Sequence, residues 1–594
     1  MHLRRFRLKF RRNLRRRKQQ AVDIGSVADE SFEKYLIKRI ARLMQIKRFL
    51  FGWVFLMLVI SFAGVLQIKA LSGHYKTIAP ASGGIFREGV VGVFGNANPL
   101  FAQNSFDVSV SRLIFGSILK YDDNGKLIPD MAESYKVDNT GTIYTVKLKK
   151  GVKWHDGQPF NANDVIFTYQ AIKNPATKSY LEPSWRGVTL TKKDNYTVEF
   201  KLDNALSSFP NSLTNGIVPA HILKKVDFEQ LRSIKFNNEQ PVGTGPFKFE
   251  TVTFDKAKAD DKSASIVLEP YNDYHFGAPK LEKYVIKNYL NPSSLENAYK
   301  NEEIDIASGL NDVSKELAQE NQVYNIPLSS EVMVFYKNSQ DILKDVSVRQ
   351  ALTLAVDKKQ VVSVFSQPVV QVNEPLLSRQ IGYNKIYAQP SNNKSEANKI
   401  LDNAGWKRSS ANDIRQKNGK PLKIGLAGSD NSDFSKIMLN IQSQWREVGV
   451  QVEVQMMPEA DLQNNVSSHN YDALLYGISI GADPDVYAYW HSSQSDIRSS
   501  SRLNLSEYKS NVADKALEAG RTRSDPSLRA VKYKPFLEAW QKDYPALALY
   551  QQQYLVISKD SFSGFNSHYM HTSTGRYTNV HNWTIKKTAQ TIKP

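Results

Sequence analysis

Apolar residues follow three different patterns along this chain. From Phe49 to Ile68 they run as FLFGWVFLMLVISFAGVLQI without a charge, long enough at ~1.5 Å per residue to cross the ~30 Å hydrocarbon core of a bilayer. Just before that run, Phe32, Tyr35, Leu36, Ile40, Leu43 and Met44 recur at three- and four-residue steps. This spacing predicts an amphipathic helix with Lys34, Lys38, Arg39 and Arg42 on its polar side, lying on a membrane surface or docked on a partner. Beyond residue 84 the period alternates between two and about 3.6. TIYTVKLKK (142–150) and YTVEFKLD (196–203) read as half-buried strands. NDVIFTYQAI (163–172) reads as a helix with Asn163 at its N-cap. In SVRQALTLAVDKKQVVSVF (347–365), Val348, Ala351, Leu352, Ala355 and Val356 share one helical face, and residues 436–457 predict a helix ending near Gly449 followed by a strand. Strands and helices mixed in this way make an α/β chain.

Charge turns the apolar run into a topology. Residues 1–48 hold 16 Lys/Arg against 4 Asp/Glu, and so carry most of the formal net charge of +19. Cytoplasmic flanks are basic, so the arm is expected inside, against an anionic leaflet, and the body outside. A cleaved signal peptide has a shorter basic region and an apolar region of roughly 7–15 residues, so a retained signal anchor fits better. The chain has no cysteine. That removes a lipid-bearing thiol, a disulfide framework, a thiol nucleophile and any Cys-ligated metal. Because the basic charge sits beside the membrane, no nucleic-acid partner is expected. Residues 69–84, KALSGHYKTIAPASGG, read as a flexible linker. DKAKADDKSAS (255–265) and the serine-rich 492–502 read as surface loops.

Two glycine-bounded segments punctuate the body. GVKWHDG (151–157) is a turn in which Trp154 and His155 are expected to pack, and GTGP (243–246) is a turn lacking the lysine of a phosphate loop. Arg349, on the helical face above, is expected to brace a domain.

The run YDDNGKLIPDMAESYKVDNTGTIYTVKLKKGVKWHDGQPFNANDVIFTYQ (121–170) resembles the extracellular solute-binding protein family that includes the oligopeptide- and dipeptide-binding proteins of ABC importers. The likeness continues in order through GTGPFKF (243–249), IVLEPYNDYHFGAPKLEKYVI (266–286), NEEIDIA (301–307), DVSVRQALTLAVDKKQVV (345–362), LDNAGW (401–406), YDALLYGISIGADPDVYAYWHSSQ (471–494) and DYPALALYQQQ (543–553). It implies a two-lobed periplasmic-binding-protein fold of α/β class with an extra inserted domain, preceded here by one transmembrane helix. Lobe I would comprise residues 85–108, 240–338 and 546–594, the inserted domain 109–239 and lobe II 339–545. Chain crossings are expected near Val332 to Asn338 and Leu547 to Tyr554. The implied function is capture of a peptide or related small solute between the lobes and delivery to an ABC transporter permease, with no covalent chemistry and no cofactor.

The resemblance also implies the site. Residues Tyr476, Gly477, Ile478, Ser479 and Ile480 would pair with an extended solute by β-augmentation, and Asp483 and Tyr487 would stand nearby. Many peptide-binding relatives place an aspartate before the Asp-Pro-Asp element to meet the ligand's α-ammonium; this chain has Ile480-Gly481-Ala482 there. Asp483, beside Pro484, is expected to cap the helix that follows. A rival reading takes Gly477-Ile-Ser479-Ile-Gly481 as the nucleophile elbow of a serine hydrolase, with Asp485 and His491 or His568 completing it. His568, His571 and His581 lack an acid at metal-ligand spacing and are expected at the surface, so no metal is assigned.

Overall fold

The computed structural model describes residues 47–591, except 75, 255–262, 311, 497, 499–501, 560, 561 and 567. The basic arm and the amphipathic helix expected before Lys47 lie outside these residues, as does most of the 255–265 loop. The chain divides into two compact units, Met1–Ala79 with Thr588–Pro594, and Pro80–Lys587.

In the first unit, Lys47–His74 is one helix of 28 residues. Its stretch Phe49–Lys69, with mean hydropathy 2.5, is long and apolar enough to cross a membrane. The expected flexible linker is instead ordered at both ends: the helix persists to His74, and Lys76–Ala81 is a strand paired with Lys586–Thr591. Pro80 sits inside that edge strand, a position its missing N–H tolerates.

The second unit is organised by an eleven-stranded sheet. In chain order its strands are β1 Ile85–Val91, β2 Phe247–Phe254, β3 Ala264–Pro270, β4 Lys283–Tyr289, β5 Ile306–Leu310 and β6 Gln322–Tyr336. There follow β7 Val370–Gln371, β8 Lys423–Ser429, β9 Gln451–Met457, β10 Ala473–Ser479 and β11 Ala546–Ser558. The spatial order is β9-β8-β10-β6-β11-β5-β1-β4-β3-β2, with β7 paired to β11. The antiparallel strands β6 and β11 are long, and they pass from one core to another. Ile326 of β6 and Tyr554 and Val556 of β11 pack with Phe86 and Ile286; Val332, Val334, Leu547 and Tyr550 pack with Leu352 and Trp445. Between these cores the register slips: Pro327 faces Gln553 and Glu331 faces Gln551, so Leu328–Ser330 stand opposite the single residue Gln552. A proline that cannot donate to the ladder begins the irregularity.

Beyond the slip, β6 is buried on both faces. Val332, Val334 and Tyr336 join a core with the helices Val346–Ala355 and Ser432–Glu447, whereas Met333 and Phe335 join one with Asn511–Arg521 and Pro526–Asp543. Such two-sided burial explains the near-continuous apolar run VMVFY. A separate four-stranded antiparallel sheet, ordered Ala132–Val137, Ile143–Leu148, Thr197–Leu202, Val188–Asp194, shares its core with the β1–β4 side. The two strands read from alternation are neighbours in it, with Tyr144 opposite Phe200.

Local chemistry moves some boundaries. The helix expected from Asn163 is Ala162–Lys173, because Asn161 and Asp164 form a reciprocal capping box. The 347–365 helix breaks after Ala355, since Asp357 caps a second helix, Lys358–Val362. The 436–457 reading holds: the helix ends at Glu447, Gly449 has φ +86°, and β9 follows. Arg349 braces as expected, donating to the carbonyls of Leu343, Lys344, Asp543 and Tyr544. The two glycine turns are stitched by His155: its Nδ1 accepts from Gly243 N at 3.2 Å and its Nε2 lies 3.0 Å from Gly245 O, while burial pushes the imidazole down to about 4. A Cβ on Gly243 would lie 1.9 Å from Ile114 O, so the turn serves close backbone packing.

Candidate functional site

Ser329 lies at the centre of the β6 irregularity and gathers three parts of the chain. Its carbonyl accepts from Ile480 N and Gly481 N at 2.9 and 3.1 Å, and its own N–H donates to Met570 O at 3.0 Å. Its hydroxyl is 2.6 Å from His571 Nδ1, and His571 Nε2 is 2.6 Å from Gly125 O. The carbonyl requires a proton on Nε2, so Nδ1 accepts the Ser329 hydroxyl proton. Burial lowers the His571 pKa in agreement with that neutral form. His571 is therefore not the surface residue its spacing suggested; it is buried and ties Gly125 and Ser329 together.

β10 runs from the core to this point. β6 pairs with it from Ala473 to Ser479, but β8 pairs with it only at Ala473 and Leu474. Leu475–Ser479 thus form a ladder on one side alone. Gly481, at φ +77°, turns the chain out of the strand, and the next helix starts at Tyr487 after Pro484. Tyr476 is half-buried, its hydroxyl accepting from Gln463 Nε2 at 3.0 Å; Ile478 and Ile480 are buried; Ser479 is exposed. The Gly477 backbone lies against the side chain of Gln552. Tyr487 is stacked on His491 at 4.1 Å with the Arg521 guanidinium 4.2 Å from its ring.

Three adjoining cavities follow the line where the two cores meet. The first, about 540 Å³, lies beside the β6–β11 slip; the second is about 380 Å³; the third, about 370 Å³, lies against Ile480–Asp483 and Asp485. Ser105 borders the first and second, and Arg112, Thr214, Thr572 and Thr574 border the second and third. Across this groove the chain closes on itself. Ser207 donates to Arg521 O from N and Oγ at 2.8 and 2.9 Å, Ser208 Oγ donates to Asp485 Oδ2 at 3.2 Å, and Ser366 Oγ donates to Asp312 Oδ2 at 2.8 Å.

Of the sequence-derived candidates, Ile480 and Asp483 line the third cavity; Tyr476, Gly477, Ile478, Ser479 and Tyr487 line none of the three. Asp483 does not cap the helix beginning at Tyr487. It forms a bidentate pair with Arg529, at 2.7 and 2.5 Å, and Asp485 pairs with Arg521 at 3.0 Å. Both acids are thereby compensated within the protein. Basic groups face the same cavity: Arg112, and Lys120, whose ammonium burial pushes down to about 8 against the opposing pull of Asp130. Arg112 with Lys120, Asn211, and Thr572 come from three separate segments of the chain, and no local spacing marks them together.

The elbow geometry is missing. The residues after Ser479 continue as strand end and turn, so no helix follows the serine to expose it or donate to an oxyanion. Among the described residues no histidine bonds the Ser479 hydroxyl; His491 is engaged with Ser493 at 2.8 Å and Glu518 at 3.3 Å. Among the described residues no cluster of His, Asp or Glu could hold a metal ion.

Comparison with known proteins gives the groove a context. The profile described as bacterial extracellular solute-binding proteins, family 5 Middle, matches residues 126–499. The oligopeptide-binding protein AppA of Bacillus subtilis (strain 168) is 28% identical over 508 residues, covering 82% of this chain and 90% of that protein. The structure of AppA in complex with a nonapeptide superposes with a TM-score of 0.68 at 27% identity, covering 85% of this chain and 99% of that one. NikZ from Campylobacter jejuni, in complex with Ni(L-His), gives 0.69 at 25% identity, covering 84% and 99%. These neighbours are two-lobed periplasmic binding proteins of mixed α/β content, the fold expected from the sequence.

Proposed function

Because the chain belongs to family 5 of the bacterial extracellular solute-binding proteins, we propose that it is a membrane-anchored, extracytoplasmic receptor. It captures a peptide or a related solute between its lobes and presents it to the permease of an ABC importer. The observation that carries the peptide reading is the half-paired strand β10. Leu475–Ser479 lack a strand partner on one side, where among the described residues Ser479 O accepts only the Tyr489 hydroxyl at 2.7 Å, and the chain leaves this strand through Ile480–Asp483, which line the third cavity. An extended chain entering there completes the ladder through main-chain hydrogen bonds, which tolerate many sequences, while Ile480, Tyr476 and the groove walls select side chains. The likeness to AppA, solved with a nonapeptide, supports the same reading.

The slip in β6 and β11 is the proposed hinge, and it moves the expected boundaries at 338 and 546, because Val332–Tyr336 and Leu547–Tyr550 pack beyond it with the lobe II helices: residues 85–108, 240–327 and 553–594 form lobe I, 109–239 the inserted domain and 331–551 lobe II. Few backbone torsions at Leu328–Ser330 and Gln552 need change for the lobes to separate. The helix Lys47–His74 anchors the receptor, with the basic arm of residues 1–48 on the cytoplasmic leaflet.

Mass spectrometry of the solute released when the full-length protein, purified from its membrane, is denatured tests the function. Peptide masses are expected. A chain that carries no solute and retains nothing from a degenerate peptide mixture contradicts the reading.

A further inference from the structure

We propose that the first cavity is a cation subsite in which Asp312 and Asp433 together receive the α-ammonium group of the captured peptide, an inference that rests on the peptide-binding reading above. The two carboxylates come from opposite sides of the groove. Asp312 follows β5, and Asp433 lies in the first turn of the helix Ser432–Glu447, both bordering the same space of about 540 Å³. No Lys, Arg or His is among the residues lining it. Among the described residues neither acid forms an ion pair; Asp312 receives the Ser366 hydroxyl at 2.8 Å and Asp433 that of Ser432 at 3.3 Å. This differs sharply from Asp483 and Asp485, which Arg529 and Arg521 already occupy.

A second, independent observation points to a ligand with several donors. Ser308 Oγ, Asn325 Oδ1 and Tyr554 OH are buried, have no hydrogen-bond partner among the described residues and belong to residues lining this cavity. Ser308 is 0% exposed and Tyr554 7%. All three atoms accept hydrogen bonds, and buried polar groups left unpaired are unfavourable. An ammonium brings three N–H donors and no acceptor, which suits a pocket of carboxylates, a hydroxyl, an amide oxygen and a phenol. Phe365, Phe434 and Tyr550 complete the wall with ring surface that also favours a cation. Burial raises the pKa of Asp433, opposed by the Ser432 hydroxyl and Lys436, with a smaller contribution from the like charge of Asp312; a cation between the two acids relieves that last repulsion.

The electrostatics of the groove fix which end the ammonium takes. The far cavity sets Arg112 and Lys120 beside Asp483 and Asp485, whereas the first has Asp312 and Asp433 with no basic residue in its lining, so a positive group is drawn toward the first. The aspartate absent from Ile480–Ala482 is thus replaced from elsewhere in the fold. Since one acid comes from each side of the groove, the ammonium is held from both only when the lobes are together, which couples recognition to closure.

The test uses the full-length protein in detergent with two degenerate pentapeptide libraries, one with free N-termini and one N-acetylated. Retained peptides are quantified by mass spectrometry after gel filtration. The free-amine library should be retained on the order of 30-fold or more over the acetylated one, and the Asp312→Asn/Asp433→Asn variant should retain the two alike. Equal retention by the unaltered protein overturns the subsite and leaves peptide binding standing, as does discrimination that survives in the double variant. Retention of neither library overturns the peptide reading and this inference with it.

Discussion

Glu331 is fully buried in β6, immediately after the strand slip, and among the described residues neither of its carboxylate oxygens has a hydrogen-bond partner. Burial, reinforced by Glu374 and opposed by Lys358, pushes its pKa well above the carboxylate range. The folded protein therefore binds a proton that the unfolded chain releases above about 4.3. Stability is lost as pH rises from that value toward the folded pKa. Glu331→Gln, which keeps the shape and removes the ionisation, should leave the thermal midpoint nearly unchanged at pH 4 and raise it increasingly toward pH 8; a lowered midpoint at pH 8 would refute the assignment. Ser479 tests the rival chemistry. Ser479→Ala should leave solute binding and fold unchanged, and a fluorophosphonate probe should not label the unaltered protein; labelling that vanishes in the variant would contradict the account. At this scale the sequence was only partly legible. Arg349 could be assigned as a brace because a cation on an apolar helical face needs buried acceptors, and it has found four carbonyls. Asp483 was misassigned as a cap because its partner, Arg529, lies on the helix Pro526–Asp543 and nothing local announces the pair.

Elements were easier to foresee than their ends. Alternation in 142–150 and 196–203 reports burial on one face, and those strands pair as neighbours. The ends depend on which side chain wins the free N–H groups: Asn161 rather than Asn163, and Asp357 restarting a helix that periodicity alone had carried through. The helix Lys47–His74 is the most clearly written element, and its role is testable by itself. Leu58 is 62% exposed near its centre. Leu58→Arg places a charge at bilayer mid-depth at a cost of about 2.5–3.5 kcal/mol on insertion scales. On fractionation the variant should shift from the alkali-resistant membrane pellet toward the supernatant, whereas the unaltered chain should stay in the pellet. An unaltered protein found free in solution would count against the anchor.

The whole molecule is where sequence reading stops. Ordered blocks of resemblance gave the two-lobed fold, since each block marks a turn or a strand that the architecture requires; GTGP, for example, exists because only glycine fits against Ile114. The groove walls are different. Asp312, Arg112, Asp433 and Thr572 are joined only by folding, and each is unremarkable where it stands in the chain. On the proposed function both lobes grip the solute, and Ser207–Arg521 and Ser366–Asp312 are the contacts that closing would make. The absence of cysteine makes this directly measurable, because labels attach only where thiols are introduced. A Lys201→Cys/Arg523→Cys variant of the full-length protein, spin-labelled and stripped of solute by reversible unfolding, should show a long, broad distance distribution. Adding the degenerate free-amine pentapeptide library should collapse it to a shorter, narrow one. A distribution that is unchanged while the same sample retains peptide would contradict capture by lobe closure.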